Sequence, residues 1–301
     1  MKKTTMLRRL LEKTELAVAP SVYDCMSARM AQLVGFKVLF MSEYAVRETQ
    51  LGMPDIGIST LTELVNIVRN MVNSVDIPLF IDGDDGYGGA LGAYRMTQEI
   101  VRAGAAGMFI EDQKHPTKCP AIGVQEILPR NEFLGKMGAV LEARDKADKD
   151  FVVCARIDAA ATLGVEEMLE RAKACLELGV DMIFPQHIAL LAAASGKNVK
   201  ETFKQYYKAI GVPNVWIFGI GPPYDFSAKD YQEMGAKLFA SANPLPPVAK
   251  TLIDMYKSFY NTGSQESFSP PGIPSNELLN KVGKLEFWNE LENKYVITKN
   301  I

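Results

Sequence analysis

The chain has 301 residues, of which 48% are hydrophobic and 23% charged, and its formal net charge is −3. This composition is typical of a globular protein, and the small negative charge argues against a nucleic-acid partner or an anionic membrane. The four cysteines form no C-x-x-C pair, which argues against a structural zinc site or a disulfide framework and favours a reducing, cytoplasmic location. The sequence has no run of about 18 apolar residues, so a membrane-spanning helix is not predicted. The basic N-terminus is not followed by an apolar stretch, so a secretory signal is not predicted either.

Short apolar runs recur along the chain, and four of them follow a glycine that ends a helix-like stretch. Glycine suits the left-handed residue just past a helix, and a continuous apolar run suits a parallel strand that is buried on both faces. Eight such runs are predicted as strands, near residues 16–20, 37–42, 78–82, 107–111, 151–156, 181–185, 214–218 and 237–240.

Segments with helical periodicity separate these strands, including residues 61–72, 93–103, 130–147 and 165–178. The alternation predicts an α/β fold, a (β/α)8 TIM-type barrel with an extra C-terminal helix; an open, doubly wound sheet is the alternative. We expect residues 1–262 to form the barrel domain. Residues 263–301 are predicted to form a linker and a helix. The linker, up to residue 275, is rich in Ser, Pro and Gly. The amphipathic helix over 276–295 is expected to pack on its own domain or to be swapped between subunits.

Polar side chains close several predicted strands, at the end of the barrel where active sites of this fold lie. In strand order they are Ser42 with Glu43 and Tyr44, Asp82 with Asp84, Glu111, Arg156, and Gln186 with His187. Carboxylates that converge repel one another unless a cation neutralises them, and Mg²⁺ needs only one or two protein carboxylates because it keeps several waters.

The acidic loop that starts at Asp82 has other possible interpretations. A solvated acidic turn is the alternative to a metal site, since Asp and Gly are common in turns. Residues 82–93 lack the glycine and glutamate that an EF-hand requires at its sixth and twelfth positions, where Tyr87 and Ala93 stand instead. The chain has no Gly-Lys-Ser/Thr phosphate loop.

Six segments together carry a family resemblance. The loop at 82–89 reads D-G-D-D-G-Y-G-G; the others are 19–29 (A-P-S-V-Y-D-C-M-S-A-R), 51–57 (L-G-M-P-D-I-G), 110–113 (I-E-D-Q), 118–119 (K-C) and 155–159 (A-R-I-D-A). In this order they resemble the isocitrate lyase and phosphoenolpyruvate mutase superfamily, in particular its methylisocitrate lyases. The catalytic loop of this chain diverges from theirs. The resemblance covers about residues 6 to 260.

The resemblance implies an eight-stranded barrel in a homo-oligomer, a dimer or a tetramer, whose last helix is exchanged between subunits. It implies Mg²⁺, with Mn²⁺ as a possible substitute, near Asp82, Asp84 and Glu111, partly through water. Asp55 would help to organise this metal shell and the substrate. The substrate would be a small 2-hydroxy or 2-oxo carboxylic acid.

The resemblance also implies roles for residues around that substrate. The backbone of Ser42, Glu43 and Tyr44 would hold the substrate carboxylate, and Gln186 stands where a glutamate is common. Arg156 would neutralise charge, and Cys119, beside Lys118, would transfer the proton; a surface thiol is the alternative for Cys119. Cleavage of a carbon–carbon bond beside a carboxylate gives an enolate-like anion, which a metal and an arginine stabilise and a thiol near a lysine protonates.

We therefore predict a Mg²⁺-dependent carbon–carbon lyase. The alternatives are a phosphonopyruvate or phosphoenolpyruvate mutase or hydrolase, an oxaloacetate hydrolase or decarboxylase, and a non-catalytic protein that binds a metal or ligand.

Several residues depart from the family pattern. Thr117 replaces the first lysine of the cysteine loop, and Pro120 with Ala121 replaces its Gly-His pair. Glu43 replaces a glycine and is expected to crowd or repel a substrate carboxylate. The segment at 216–220 (W-I-F-G-I) stands where N-x-T-E is usual. These changes lead to the hypothesis that the substrate is less anionic, or bulkier and more apolar, than isocitrate or methylisocitrate.

Overall fold

The strands of the first part of the chain close into a barrel. The computed structural model describes residues 1–120, 122–220, 226–269 and 276–295, and the chain divides into two compact units, Met1–Asn243 and Pro244–Ile301. Within the described part of the first unit the strands are β1 Ala17–Ala19, β2 Ser21–Val22, β3 Leu39–Met41, β4 Leu79–Asp82, β5 Gly107–Glu111, β6 Val152–Ile157, β7 Met182–Pro185, β8 Trp216–Gly219 and β9 Leu238–Ala240.

All paired strands are parallel, in the order β1-β9-β8-β7-β6-β5-β4-β3-β2. Only Pro20 separates β1 from β2. Because β1 pairs with β9 and β2 pairs with β3, these two short strands act as one barrel strand that closes the sheet. Pro20 has no N–H to donate, but its carbonyl accepts the N–H of Phe40 at 3.1 Å. The predicted (β/α)8 barrel is confirmed, with its first strand broken at this proline.

Helices surround the barrel as the sequence predicts. They are α1 Lys3–Lys13, α2 Cys25–Val34, α3 Glu43–Val46, α4 Leu61–Ser74, α5 Ala90–Ala103, α6 Arg130–Ala147, α7 Ala160–Leu163, α8 Val165–Leu178, α9 Ile188–Ala194, α10 Val199–Ile210 and α11 Ala228–Met234, with a π-helical turn at Arg47–Leu51. Thr60 starts α4 with a capping box to Glu63. The four predicted helix-ending glycines, at 35, 104, 179 and 235, all have the left-handed conformation.

Two apolar layers form on the two faces of the sheet, because side chains alternate along each strand. Inside the barrel lies a layer of phenylalanines, with neighbouring ring centroids 5.0–6.5 Å apart: Phe40, Phe80, Phe109, Phe184 and Phe218. Leu7 and Leu11 of α1 are fully buried in the same cluster. Outside, alternate strand residues pack against the helices. The phenylalanine layer therefore fills the interior beneath the carboxyl ends of the strands.

The second unit is helical where it is described. It contains α12 Leu245–Thr262, a 3-10 turn at Glu266–Phe268, α13 Asn276–Val282 and α14 Leu285–Tyr295. The helix predicted over 276–295 is interrupted at Gly283 and Lys284, where Lys284 has a φ of 55°. Residues 270–275 of the predicted linker lie outside the described residues. None of the helices in the described ranges is both long and apolar enough to cross a membrane.

Candidate active site

The phenylalanine layer positions the site above it. Ser42, Asp82, Glu111, Gln186 and Ile220 each stand two residues after one of these phenylalanines. Since side chains alternate along a strand, residues two apart face the same side, which here is the barrel interior. A cavity of about 180 Å³ lies at this end of the barrel; its polar lining includes Ser42, Tyr44, Asp55, Asp82, Cys119, Arg156 and Gln186. A narrower recess adjoins it, lined by Arg47, Asp55, Asp82, Asp84, Glu111, Thr117, Lys118, Cys119 and Arg156.

Arg156 lies on the floor of this cavity. Its Nη1 is 3.0 Å from Glu111 Oε2, and its Nη2 donates to Asp158 Oδ1 at 3.1 Å. The guanidinium carbon is 5.5 Å from the ring centroid of Phe109 and 5.6 Å from that of Phe184. Burial lowers the pKa of Arg156, but the two carboxylates outweigh burial and raise this pKa well above its usual value. The site therefore has a fixed, permanent positive charge, held by cation–π contacts and ion pairs.

Buried carboxylates surround the recess. Burial raises the pKa of Asp82 to about 7; Arg156 opposes this, and the charges of Asp84 and Asp55 add to it. Burial also raises the pKa of Glu111 well above its usual value, again against Arg156. The pKa of Asp55 is raised by burial in the same way. Burial is the largest cause of all three shifts, so without a nearby cation the ionised form of these carboxylates is disfavoured.

Arg47 is a part of the site that the sequence analysis missed. It is only 1% exposed. Its Nη2 donates to Glu43 Oε1 at 2.8 Å, its Nε donates to Ser59 Oγ at 2.9 Å, and it also pairs with Asp55 and Asp84. The sequence feature that could have predicted Arg47 is its spacing of four residues from Glu43, because this spacing allows an ion pair across one helical turn.

The side chain of Glu43 differs in position from the prediction. It was expected to crowd the substrate carboxylate, but it is 2% exposed and does not line the described cavity or recess. Its carboxylate instead contacts Arg47, Ser59 and Tyr87. All three contacts are made to Oε1, whereas the buried Oε2 has no hydrogen-bond partner among the described residues, and burial raises the pKa of Glu43 well above its usual value.

The cysteine loop lies over the carboxylates. The N–H of Cys119 donates to the carbonyl of Asp55 at 3.2 Å, and the N–H of Lys118 donates to Gln113 Oε1 at 3.0 Å. Gly57 has a φ of 70°, and a Cβ there would come within 2.5 Å of the Thr117 nitrogen, so only glycine permits this close approach. The structure thus brings Cys119 and Lys118 together with the carboxylates and Arg156.

His187 lies behind the floor arginine. It is buried, and its Nε2 is 3.3 Å from Asp158 Oδ1. Burial raises the pKa of Asp158, but the guanidinium of Arg156 and then His187 outweigh burial, so this pKa is lowered. An ionised Asp158 joins His187 to Arg156 and fixes the orientation of the guanidinium.

The same carboxylates are the candidate ligands for a metal. Within the described ranges, no three His, Cys, Asp or Glu side chains are arranged to bind a metal ion directly. A hard cation that keeps several of its waters needs only one or two carboxylates. The excess negative charge and the all-oxygen donors therefore fit a hydrated Mg²⁺, with Asp82 facing the cavity.

Comparisons with known proteins agree with this architecture. Residues 7–255 match the family model described as phosphoenolpyruvate phosphomutase. The chain is 36% identical to 2,3-dimethylmalate lyase of Eubacterium barkeri over 96% of both chains. It is 33% identical to the petal death protein of Dianthus caryophyllus, over 98% of this chain and 89% of that protein. A solved oxaloacetate acetylhydrolase, in complex with the inhibitor 3,3-difluorooxalacetate, is similar with a TM-score of 0.87 and 28% identity over 97% of both chains.

Proposed function

The chain belongs to the phosphoenolpyruvate mutase and isocitrate lyase superfamily of carbon–carbon lyases and mutases, and we propose that it is a Mg²⁺-dependent lyase that cleaves a small 2-hydroxy carboxylic acid. One observation carries this proposal. The carboxylates of Asp82 on β4 and Glu111 on β5 lie near the guanidinium of Arg156, around a cavity and a recess that Cys119 also lines. This arrangement would supply a cation site, a fixed positive charge and a proton donor around one reacting bond.

Asp82 is proposed as the direct ligand of Mg²⁺, and Asp55, Asp84 and Glu111 would hold its waters. Mn²⁺ would be a substitute, because carboxylate and water ligands suit both ions. When bound, the cation would act as a Lewis acid toward the oxygen on C2 of the substrate. Asp82 is assigned the direct contact because it lines both the cavity and the recess.

The residues of this chain would then share the chemical steps. The proton of the substrate hydroxyl passes to a carboxylate of the cluster, and the C2–C3 bond breaks to leave a 2-oxo acid. The electron pair of that bond stays on the departing fragment, whose carbon takes the proton of the Cys119 thiol. Arg156 stabilises the negative charge that develops between these two steps. One proton is taken up and one is released, so the enzyme returns to its initial charge.

We also propose that the chain forms a homo-oligomer, a dimer or a tetramer. The described helices of the second unit expose large apolar side chains, among them Tyr260, Leu279, Phe287 and Trp288, which are 49–90% exposed in the single chain. Exposed apolar surface of this kind is typical of a protein interface. Light scattering should give a mass of two or four chains, and Trp288→Glu should shift the mass toward the monomer.

The test of the function is a calorimetric titration of Mg²⁺ and oxalate, which mimics the planar enolate of a 2-oxo acid. Oxalate should bind to the wild type only when Mg²⁺ is present, and Asp82→Ala should abolish this binding. The exposed Asp145 serves as a matched control, and Asp145→Ala should bind as the wild type does. If neither ligand binds to the wild type, the proposal is wrong.

Product analysis then separates the chemistry. Mass spectrometry should find a 2-oxo acid and a carboxylic acid from 2-hydroxy diacids. Cleavage or migration of a phosphorus–carbon bond in phosphonopyruvate, without cleavage of any hydroxy acid, would replace the lyase proposal.

A further inference from the structure

A buried arginine occupies part of the recess beside the candidate metal carboxylates. Arg47 lines this recess together with Asp55 and Asp84, and its guanidinium pairs with both of these carboxylates. The free volume of the recess is about 10 Å³, which leaves room for about one water molecule at most. Asp84 lines the recess and not the larger cavity, so a cation that approaches Asp84 through the recess has to share it with the guanidinium.

Two contacts outside the recess hold the guanidinium in place. Nη2 of Arg47 donates to Glu43 Oε1 at 2.8 Å, and Nε donates to Ser59 Oγ at 2.9 Å. Neither Glu43 nor Ser59 lines the described cavity or recess. A guanidinium stays protonated even when it is buried, so Arg47 brings a permanent positive charge to carboxylates that would otherwise be free to attract a cation.

We propose that Arg47 is a built-in counter-ion that competes with Mg²⁺ for Asp55 and Asp84 and thereby weakens the binding of the cation. This inference rests on the proposed function, because it takes Mg²⁺ to bind at Asp82 while Asp55 and Asp84 hold its waters. A carboxylate whose charge is shared with a guanidinium attracts a divalent cation less, and the two cations repel each other. Arg47 therefore sets the Mg²⁺ concentration at which the site fills.

The test is the affinity for Mg²⁺ alone, measured by calorimetry without substrate. Arg47→Ala removes the competing charge, so the Kd of Mg²⁺ should fall by at least about tenfold. Ethylguanidinium replaces the side-chain atoms beyond Cβ that this substitution deletes. Added at increasing concentration, ethylguanidinium should weaken the binding of Mg²⁺ to Arg47→Ala toward the wild-type value, and it should leave the Kd of the wild type unchanged.

Two further variants complete the test. Arg8→Met removes an arginine whose Nη1 is 3.0 Å from Asp181 Oδ1, away from the recess, and this control should bind Mg²⁺ as the wild type does. Arg47→Lys keeps the charge, but an ammonium does not bridge several carboxylates as a guanidinium does, so its Kd should lie between those of the wild type and Arg47→Ala. If Arg47→Ala lacks the far-ultraviolet circular dichroism spectrum of the folded protein, Arg47→Lys takes its place and should bind Mg²⁺ more tightly than the wild type.

The outcomes separate this inference from the proposed function. An unchanged Kd of Mg²⁺ in every folded Arg47 variant, with Mg²⁺-dependent oxalate binding intact in the wild type, overturns the competition and leaves the proposed function standing. A tighter Kd in Arg47→Ala that ethylguanidinium does not weaken also overturns the competition. Mg²⁺-dependent oxalate binding to Arg47→Ala but not to the wild type supports the competition and overturns the proposed Mg²⁺ dependence of the native chain. If neither protein binds Mg²⁺, both proposals are overturned.

Discussion

Replacement of Arg47 by methionine should destabilise the protein strongly. The side chain is 1% exposed and neutralises Glu43, Asp55 and Asp84, of which Glu43 is 2% exposed. Removing one partner of a buried ion pair costs about 3–5 kcal/mol, because the remaining charge is left without a counter-ion. We therefore expect the free energy of unfolding of Arg47→Met, measured by urea denaturation at pH 8, to fall by about this amount.

Two further variants separate the ion pair from simple loss of packing. In Glu43→Gln/Arg47→Met the carboxylate at position 43 is also removed, whereas Asp55 and Asp84 stay without their guanidinium partner, so the double variant should recover part of the stability that the single variant loses. Arg102→Met removes an arginine that is 64% exposed and pairs with Glu99 on the protein surface, so it should change stability by less than about 0.5 kcal/mol. An Arg47→Met protein as stable as the wild type, or a double variant as unstable as the single one, would refute the reasoning.

Mg²⁺ gives a second measure of the same residue. Without Arg47, the carboxylates of Asp55 and Asp84 lose their guanidinium partner and should attract the cation more strongly. Mg²⁺ at about 100 times its Kd stabilises a protein by about 2.7 kcal/mol. At a fixed Mg²⁺ concentration, the gain in stability should therefore be larger for Arg47→Met than for the wild type. An equal gain would show that Arg47 and the cation do not share these carboxylates.

Three more predictions concern the site. Cys119→Ser should lower kcat by about 10²–10⁴-fold, which is the usual contribution of a proton donor. The Kd of oxalate in the presence of Mg²⁺ should stay unchanged, and Cys25→Ser serves as the control. Arg156→Lys should lower kcat/KM by at least about 10²-fold with an unchanged far-ultraviolet circular dichroism spectrum, because lysine cannot make the paired contacts of a guanidinium. The raised pKa of Asp82 implies that the native metal-free protein holds a proton that the unfolded chain releases, so its stability should fall by about 2–3 kcal/mol as the pH rises from about 4 to about 7. Urea denaturation across this pH range should show the fall in the wild type and a flatter profile in Asp82→Asn.

The sequence predicted the barrel and much of its polar rim because both follow from local patterns. An apolar run followed by a polar residue identifies the end of a buried strand, and parallel strands of a barrel bring all such ends together. This is why Asp82, Glu111, Arg156 and Gln186 could be named before their positions were known. Helix bounds at 130–147 and 165–178 followed from periodicity in the same way.

The remaining features depend on contacts between distant parts of the chain. The sequence alone suggests an exposed Arg47, and only the folded chain brings it to Asp84 in the loop after β4. The first strand is divided at Pro20 because its two halves pair with different strands, β1 with β9 and β2 with β3. Helix α1 carries few sequence signals, and it is stabilised by burial of Leu7 and Leu11 under the barrel.

The phenylalanine layer has a consequence for the order of product release. Its five rings are at most 2% exposed, so the barrel has no passage at its amino end among the described residues. Substrate must enter, and both fragments must leave, through one mouth at the carboxyl end. If the 2-oxo acid is held at Asp82, as proposed, the outer fragment has to leave first. In steady-state kinetics the 2-oxo acid should therefore inhibit competitively against substrate, whereas the other carboxylic acid should inhibit noncompetitively.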